Sequence, residues 1–150
     1  LPVTRAIFSE SMRLFPPVFM IVRHALAEDR AGSATIPKDA TVLVAPWVLH
    51  RREDYWQDPL VFDETRFLSD APKPKTNSYL PFGTGPRICI GAQFATAMAV
   101  LILAALCRRY RLEVRADPPA RPVCVATTHP DHAPPFRIIP RDASLAQAAE

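Results

Sequence analysis

The sequence predicts an α+β chain, mainly helical, with small β-sheets and one long meander. Three observations carry that expectation. Ala6, Ile7, Met12 and Leu14 fall at helical spacing just before Pro16-Pro17, and the block from Ala92 to Tyr110 is apolar on nearly every side. Between and after these two helices lie short apolar, β-branched runs bounded by proline or aspartate. Seventeen prolines in 150 residues, against a usual share of about 5%, leave no room for long helices elsewhere.

Element by element, the expected order runs as follows. A helix over 1–14 ends where the double proline denies it further hydrogen bonds. A small sheet over 18–46 takes its strands from Val18–Val22 and Thr41–Ala45, with a turn between, and Trp47–Arg52 forms one or two helical turns. The meander over 54–81 is rich in breakers yet holds Trp56, Phe62, Phe67 and Tyr79, which marks it as functional rather than as a linker. A cysteine loop over 82–91 carries three of the four glycines. The helix over 92–110 follows, closed by Arg108 and Arg109 at its negative end. A β-rich tail over 111–141 has strand-like pieces at Leu112–Val114 and Phe136–Ile139, and the residues from Asp142 are expected to be loosely held.

Composition narrows the function classes. The length suits one domain, for which roughly 100 to 200 residues is usual. Hydrophobic content of 49% with 22% charged residues excludes intrinsic disorder. A net charge of +3 without a run of like charges gives no nucleic-acid footprint. Cys89, Cys107 and Cys124 are odd in number and form no CxxC pair, so no disulfide framework or zinc ribbon is expected, and a reducing, cytoplasmic setting fits. The uninterrupted apolar run Ala97–Cys107 falls short of the roughly 18 residues of a membrane span, so no membrane segment is expected in this chain. A helix apolar all round is instead expected to lie buried in a larger protein. Leu1–Arg5 does not read as a signal peptide. The first residue is not methionine, which points to a fragment and leaves an upstream anchor open.

The chemistry centres on Cys89. Gly83, Gly85 and Gly91 allow tight wrapping around it, while Arg87 and the helix that follows favour a thiolate. A small buried hydrophobe is the competing reading. Of the activated readings, a nucleophile has no histidine near it in sequence, zinc lacks further ligands at metal spacing, and a haem-thiolate site needs only this one protected sulfur. Gly83-Thr84-Gly85 begins like a GxGxxG phosphate loop, but Ile88 stands at the last position. His129-Pro130-Asp131-His132 reads as a solvated turn, and His24 and His50 read as capping or core histidines. Glu10 and Arg13 share a helix face and, on spacing alone, are a surface pair.

Together the motifs resemble one family. Phe82-Gly83-Thr84-Gly85-Pro86-Arg87-Ile88-Cys89-Ile90-Gly91 is similar to the FxxGxRxCxG signature of cytochrome P450 at every fixed position, and Glu10-Ser11-Met12-Arg13 is similar to its ExxR helix. Phe62–Phe67 resembles its FxPxRF segment with Glu64 in place of the proline, and Met98 stands where the family often has glutamate. The resemblance implies the C-terminal part of that fold, with haem b (iron protoporphyrin IX) as cofactor and Cys89 as iron ligand. Phe82 would shield the sulfur, amides near Gly91 would tune it, and Gly83 would shape the loop. Arg87 and Arg23 would hold the haem propionates. Glu10, Arg13 and Arg66 would form a buried triad. Val18, Phe19, Met20, Thr127 and Thr128 would edge a pocket for a hydrophobic small-molecule substrate. Arg108, Arg109 and Arg111, with Arg87, would receive a ferredoxin- or flavin-type reductase. The implied activity is insertion of one oxygen atom of O2, with a peroxide-using or isomerase-type enzyme as the alternative. The family's oxygen-activating helix lies upstream of its ExxR helix, so this chain by itself is not expected to turn over and an inactive truncated fragment is the other alternative.

Overall fold

The structure is a computed structural model that describes residues 1–114 and 118–141. Helix α1 spans Pro2–Leu14. Proline in its first turn costs no hydrogen bond, since that amide has no partner inside a helix. At the other end the Phe15 N–H closes on the Ser11 carbonyl at 2.7 Å, and the double proline stops propagation. The buried face carries Ala6, Glu10, Met12, Arg13 and Leu14, whereas Ile7, expected on that face, is exposed.

Strand β1 (Ile21–His24) pairs antiparallel with β4 (Thr41–Val44), with Ile21 opposite Val44 and Arg23 opposite Val42. Residues Val18–Met20, expected in the strand, lie outside it. The ladder runs out at Val44 because Pro46 opens the single turn α2 (Pro46–Leu49) and has no N–H to offer. A second antiparallel pair, β2 (Asp29–Ala31) with β3 (Ala34–Ile36), turns at Gly32, whose φ is +61°. The sequence predicts only a turn here, because neither strand carries an apolar alternation to bury.

The meander crosses α1 and forms one 3-10 turn, Glu64–Phe67, capped by the Asp63 carboxylate accepting the Thr65 N–H at 3.0 Å. Trp56, Phe67 and Tyr79 pack as one aromatic cluster with ring centroids 4.9 to 6.1 Å apart, while Phe62 is exposed. After a second 3-10 turn at Gly85–Arg87, helix α3 (Ala92–Arg109) packs on α1 and runs directly into β5 (Tyr110–Val114). β5 pairs antiparallel with β8 (Phe136–Pro140), and β6 (Pro122–Cys124) pairs with β7 (Thr128–Pro130). The residues from Asp142, expected to be loosely held, lie outside the described residues.

Helix α3 departs from expectation on two counts. As a whole its 18 residues, at mean hydropathy 1.4, are long and apolar enough to cross a membrane, although its apolar centre alone is not. Within this chain it is also largely uncovered. Phe94, Met98, Leu101 and Ile102 are exposed, and among its residues only Val100 is buried.

The innermost side chains are polar. Arg13, His50 and Glu10 are 0% exposed, Trp56 lies against Arg13 and Leu80 against His50, and Met12 and Leu14 of α1 are buried as well. Arg13 donates through Nε and Nη2 to the two Glu10 oxygens, each at 2.7 Å, through Nη1 to the carbonyls of His50 and Pro59, and through Nη2 to that of Val61. All five of its N–H groups are thereby used. Glu10 Oε1 also accepts the Asp63 N–H at 2.9 Å. Replacing Arg13 with Met strands a buried carboxylate and is expected to cost about 3 to 5 kcal/mol in urea unfolding. The same measurement on Arg111→Ala, which removes an exposed pair with Glu113, is expected to show about 1 kcal/mol or less.

Candidate functional site

The loop around Cys89 is built by its glycines and one backbone bond. Gly83 and Gly85 take φ of +76° and +69°, which a side chain rarely adopts. These turns fold the loop back so that the Cys89 N–H donates to the Phe82 carbonyl at 2.9 Å. Gly91 acts differently from the other two: its φ is −85°, and it caps α3. A Cβ at Gly91 would sit 3.8 Å from Cys89 Sγ, so the bare glycine keeps the space beside the sulfur open. Cys89 is exposed within this chain.

Beneath the loop lies a cavity of about 400 Å³. Cys89, Phe82 and Gly83 line one side, while Met12 of α1, Ile21 of β1 and Leu80 supply an apolar wall. Arg23 and Arg87 also line it. Among the described residues neither arginine pairs with a carboxylate, and the Arg23 guanidinium reaches only the Val22 carbonyl, at 2.9 Å. A thiol and two arginines without carboxylate partners on one apolar-walled cavity suit a group that carries a thiolate-binding metal and acidic substituents. Among the described residues no three of His, Cys, Asp or Glu gather as a metal cluster, so the sulfur would need a metal supplied by a ligand.

Other expected site residues are placed less centrally. Val18 lines the cavity, whereas Phe19 and Met20 do not. Thr128 ties the β6–β7 hairpin to the double proline, donating from N to the Pro17 carbonyl at 2.9 Å and from Oγ1 to that of Pro16 at 2.7 Å. Thr127 is exposed and makes no side-chain contact of that kind among the described residues. Arg66 is the looser member beside the Glu10–Arg13 pair: its Nε stands 3.6 Å from Glu10 Oε1, and its Nη2 donates to the Asp58 carbonyl at 3.3 Å. Glu64 opens the 3-10 turn, and Met98 is exposed on α3.

His50 has a larger role than its position in the sequence announces. Nε2 accepts the Leu80 N–H at 2.8 Å, and Nδ1 lies 3.1 Å from the Arg13 carbonyl. Burial, together with the positive charges of Arg13 and Arg51, lowers its pKa from 6.5 to about 4. A histidine after an apolar run is a common sequence feature, and only the fold places its two partners.

These features match one family of known proteins. The profile described as Cytochrome P450 matches residues 1–131. The chain belongs to the cytochrome P450 family. It is 36% identical over 134 residues to the Arabidopsis thaliana protein named LUTEIN DEFICIENT 5, chloroplastic, which covers 86% of this chain and 22% of that protein. It is 37% identical over 113 residues to cyclooctat-9-en-7-ol 5-monooxygenase of Streptomyces melanosporofaciens, covering 75% and 25%. The crystal structure of the cytochrome P450DA heme domain superposes with a TM-score of 0.87 at 28% identity, over 96% of this chain and 32% of that one. The chain thus has the P450 fold and spans about a quarter of the length of these curated relatives. Haem is the cofactor that P450 membership implies, and the donor set around the cavity fits it.

The lowered pKa of His50 has a measurable consequence. The unfolded chain takes up this proton as pH falls through 6.5, and the folded one resists until about 4. The stability tied to neutral His50 is therefore full above the unfolded value and is lost as pH falls through that window. The pH slope of urea unfolding over the window is expected to be steeper in the wild type than in His50→Gln, which does not titrate; equal slopes would contradict the assignment.

Proposed function

We propose that the protein carrying this chain is a haem-thiolate monooxygenase that inserts one oxygen atom of O2 into a hydrophobic organic substrate. The observation that carries the reading is the single cavity shared by Cys89, Arg23 and Arg87. Cys89 would hold the iron of haem b through its thiolate. When bound, the haem supplies oxygen activation, which a thiolate ligand favours by pushing electron density toward O–O cleavage.

The chain's own residues then have distinct tasks. Arg23 and Arg87 hold the two propionates by charge-assisted hydrogen bonds. Phe82 lines the same cavity as Cys89 and would shield the sulfur once the haem is bound, while Gly91 leaves the sulfur free of a neighbouring side chain. Glu10 and Arg13, with Arg66, hold the meander against α1. Val18, at the cavity edge, borders the substrate, and Phe19, Met20, Thr127 and Thr128 are assigned to the same pocket by family resemblance alone. The three free cysteines suit a reducing compartment such as the cytoplasm.

Electrons come from a ferredoxin- or flavin-type partner. Arg108 and Arg109 are exposed at the end of α3, with Arg111 just beyond, and an acidic partner is steered by them. Reversing Arg108 and Arg109 to Glu is expected to slow electron delivery at low ionic strength and to have little effect at high salt, where the Debye length is short. Stopped-flow reduction at two salt concentrations reads this.

The assignment of Cys89 is tested by haem loading. In the full-length protein the reduced carbon monoxide complex is expected to show the thiolate-type Soret shift, and Cys89→Ala is expected to lose it. Survival of the shift in that variant would falsify the ligand assignment.

A further inference from the structure

We infer that His50 is a positioning residue that fixes where the cysteine loop begins, its ring bridging the Arg13 carbonyl to the Leu80 amide. Its consequence at Cys89 rests on the haem-thiolate reading above, whereas the bridge rests on geometry alone.

Both partners of the ring are backbone groups, and that dictates its chemistry. A carbonyl only accepts, so Nδ1, at 3.1 Å from the Arg13 oxygen, carries the proton. An amide only donates, so Nε2, at 2.8 Å from the Leu80 nitrogen, is bare. The site accepts the neutral Nδ1–H tautomer and no other form, since an imidazolium would aim a second N–H at the Leu80 amide. The groups bearing on the ring are consistent with that. Arg13 of α1 and Arg51 of its own segment oppose a positive charge, and the Tyr79 ring of the meander packs against it at a tilt of 41°, with centroids 5.3 Å apart.

The clasp is reciprocal. Arg13 Nη1 donates to the His50 carbonyl at 2.7 Å while the His50 ring donates back to the Arg13 carbonyl. Tyr79, next to Leu80, adds a second tie to α1 by donating its hydroxyl to the Ser9 carbonyl at 2.9 Å. From Leu80 the chain of bonds continues toward the thiol. The Leu80 carbonyl accepts the Gly83 N–H at 3.3 Å, and the Phe82 carbonyl accepts the Cys89 N–H at 2.9 Å. The buried Leu80 amide has no other acceptor among the described residues. Without His50 it is stranded, and the segment presenting Cys89 keeps only the Tyr79 tie to α1.

Two substitutions separate hydrogen bonding from packing. His50→Phe keeps an aromatic ring against Tyr79 but removes donor and acceptor together. His50→Gln loses the ring and keeps one donor and one acceptor. In the full-length, haem-loaded protein, Phe is expected to speed hydrogen exchange of the Leu80 amide about tenfold or more, the scale of one lost buried hydrogen bond. It is also expected to shift the reduced carbon monoxide complex away from the thiolate-type Soret band. Gln is expected to stay near wild type in both. If Phe matches or outperforms Gln in exchange, the bridge is overturned; if it does so in the Soret band, the positioning role is overturned. A wild type without the thiolate band sinks the haem-thiolate reading instead, and amide exchange still reports on the bridge.

Discussion

A guanidinium buried away from water is the constraint to which most of this structure answers. Removing an ion from water costs several kcal/mol even after relaxation, and good geometry with complete hydrogen bonding is what offsets it. Arg13 reaches that condition with Glu10 and three backbone carbonyls drawn from distant parts of the chain. Those carbonyls belong to His50, Pro59 and Val61, so satisfying one side chain dictates the path of the segment after α2 and of the first half of the meander. A region rich in breakers, with no ladder of its own, is thereby given a fixed course. The aromatic cluster of Trp56, Phe67 and Tyr79 packs beside this polar centre, with the Arg13 guanidinium 5.1 Å from the Trp56 ring centroid.

The same centre sets the position of the cysteine. α1 supplies Met12 to the cavity wall on the turn that carries Glu10 and Arg13, and His50 links that turn to Leu80 at the mouth of the cysteine loop. Positive φ at Gly83 and Gly85 then brings the Cys89 backbone under Phe82. Arg23 arrives from a separate sheet, placed by its register opposite Val42. The cavity is therefore a meeting of three elements held by hydrogen bonds as much as by apolar burial.

Much of this was legible in the sequence, and unevenly so for physical reasons. Helices α1 and α3 announce themselves because proline and glycine mark their ends and apolar residues recur between them. The cysteine loop is legible through its glycines, whose spacing reports backbone conformation directly. Burial of Glu10 and Arg13 was not readable from spacing, since an i,i+3 pair looks the same on a surface as in a core; the family resemblance supplied it. The strands of the β2–β3 hairpin, and those of β6–β7 within the expected β-rich tail, were not individually legible because they are short and mostly exposed. His50 could be read only as a satisfied histidine, because its partners are main-chain atoms 37 and 30 residues away. The exposed apolar surface of α3 fits a chain that spans only part of the length of its relatives.

The proposed haem-thiolate site requires that the Cys89 sulfur bind the haem iron in the cavity it shares with Arg23 and Arg87. X-ray absorption at the iron edge of the haem-loaded, full-length protein addresses it most directly. One sulfur is expected in the first coordination shell of the wild type and none in Cys89→Ser. A shell of nitrogen and oxygen alone in the wild type, or sulfur retained in the variant, would contradict it.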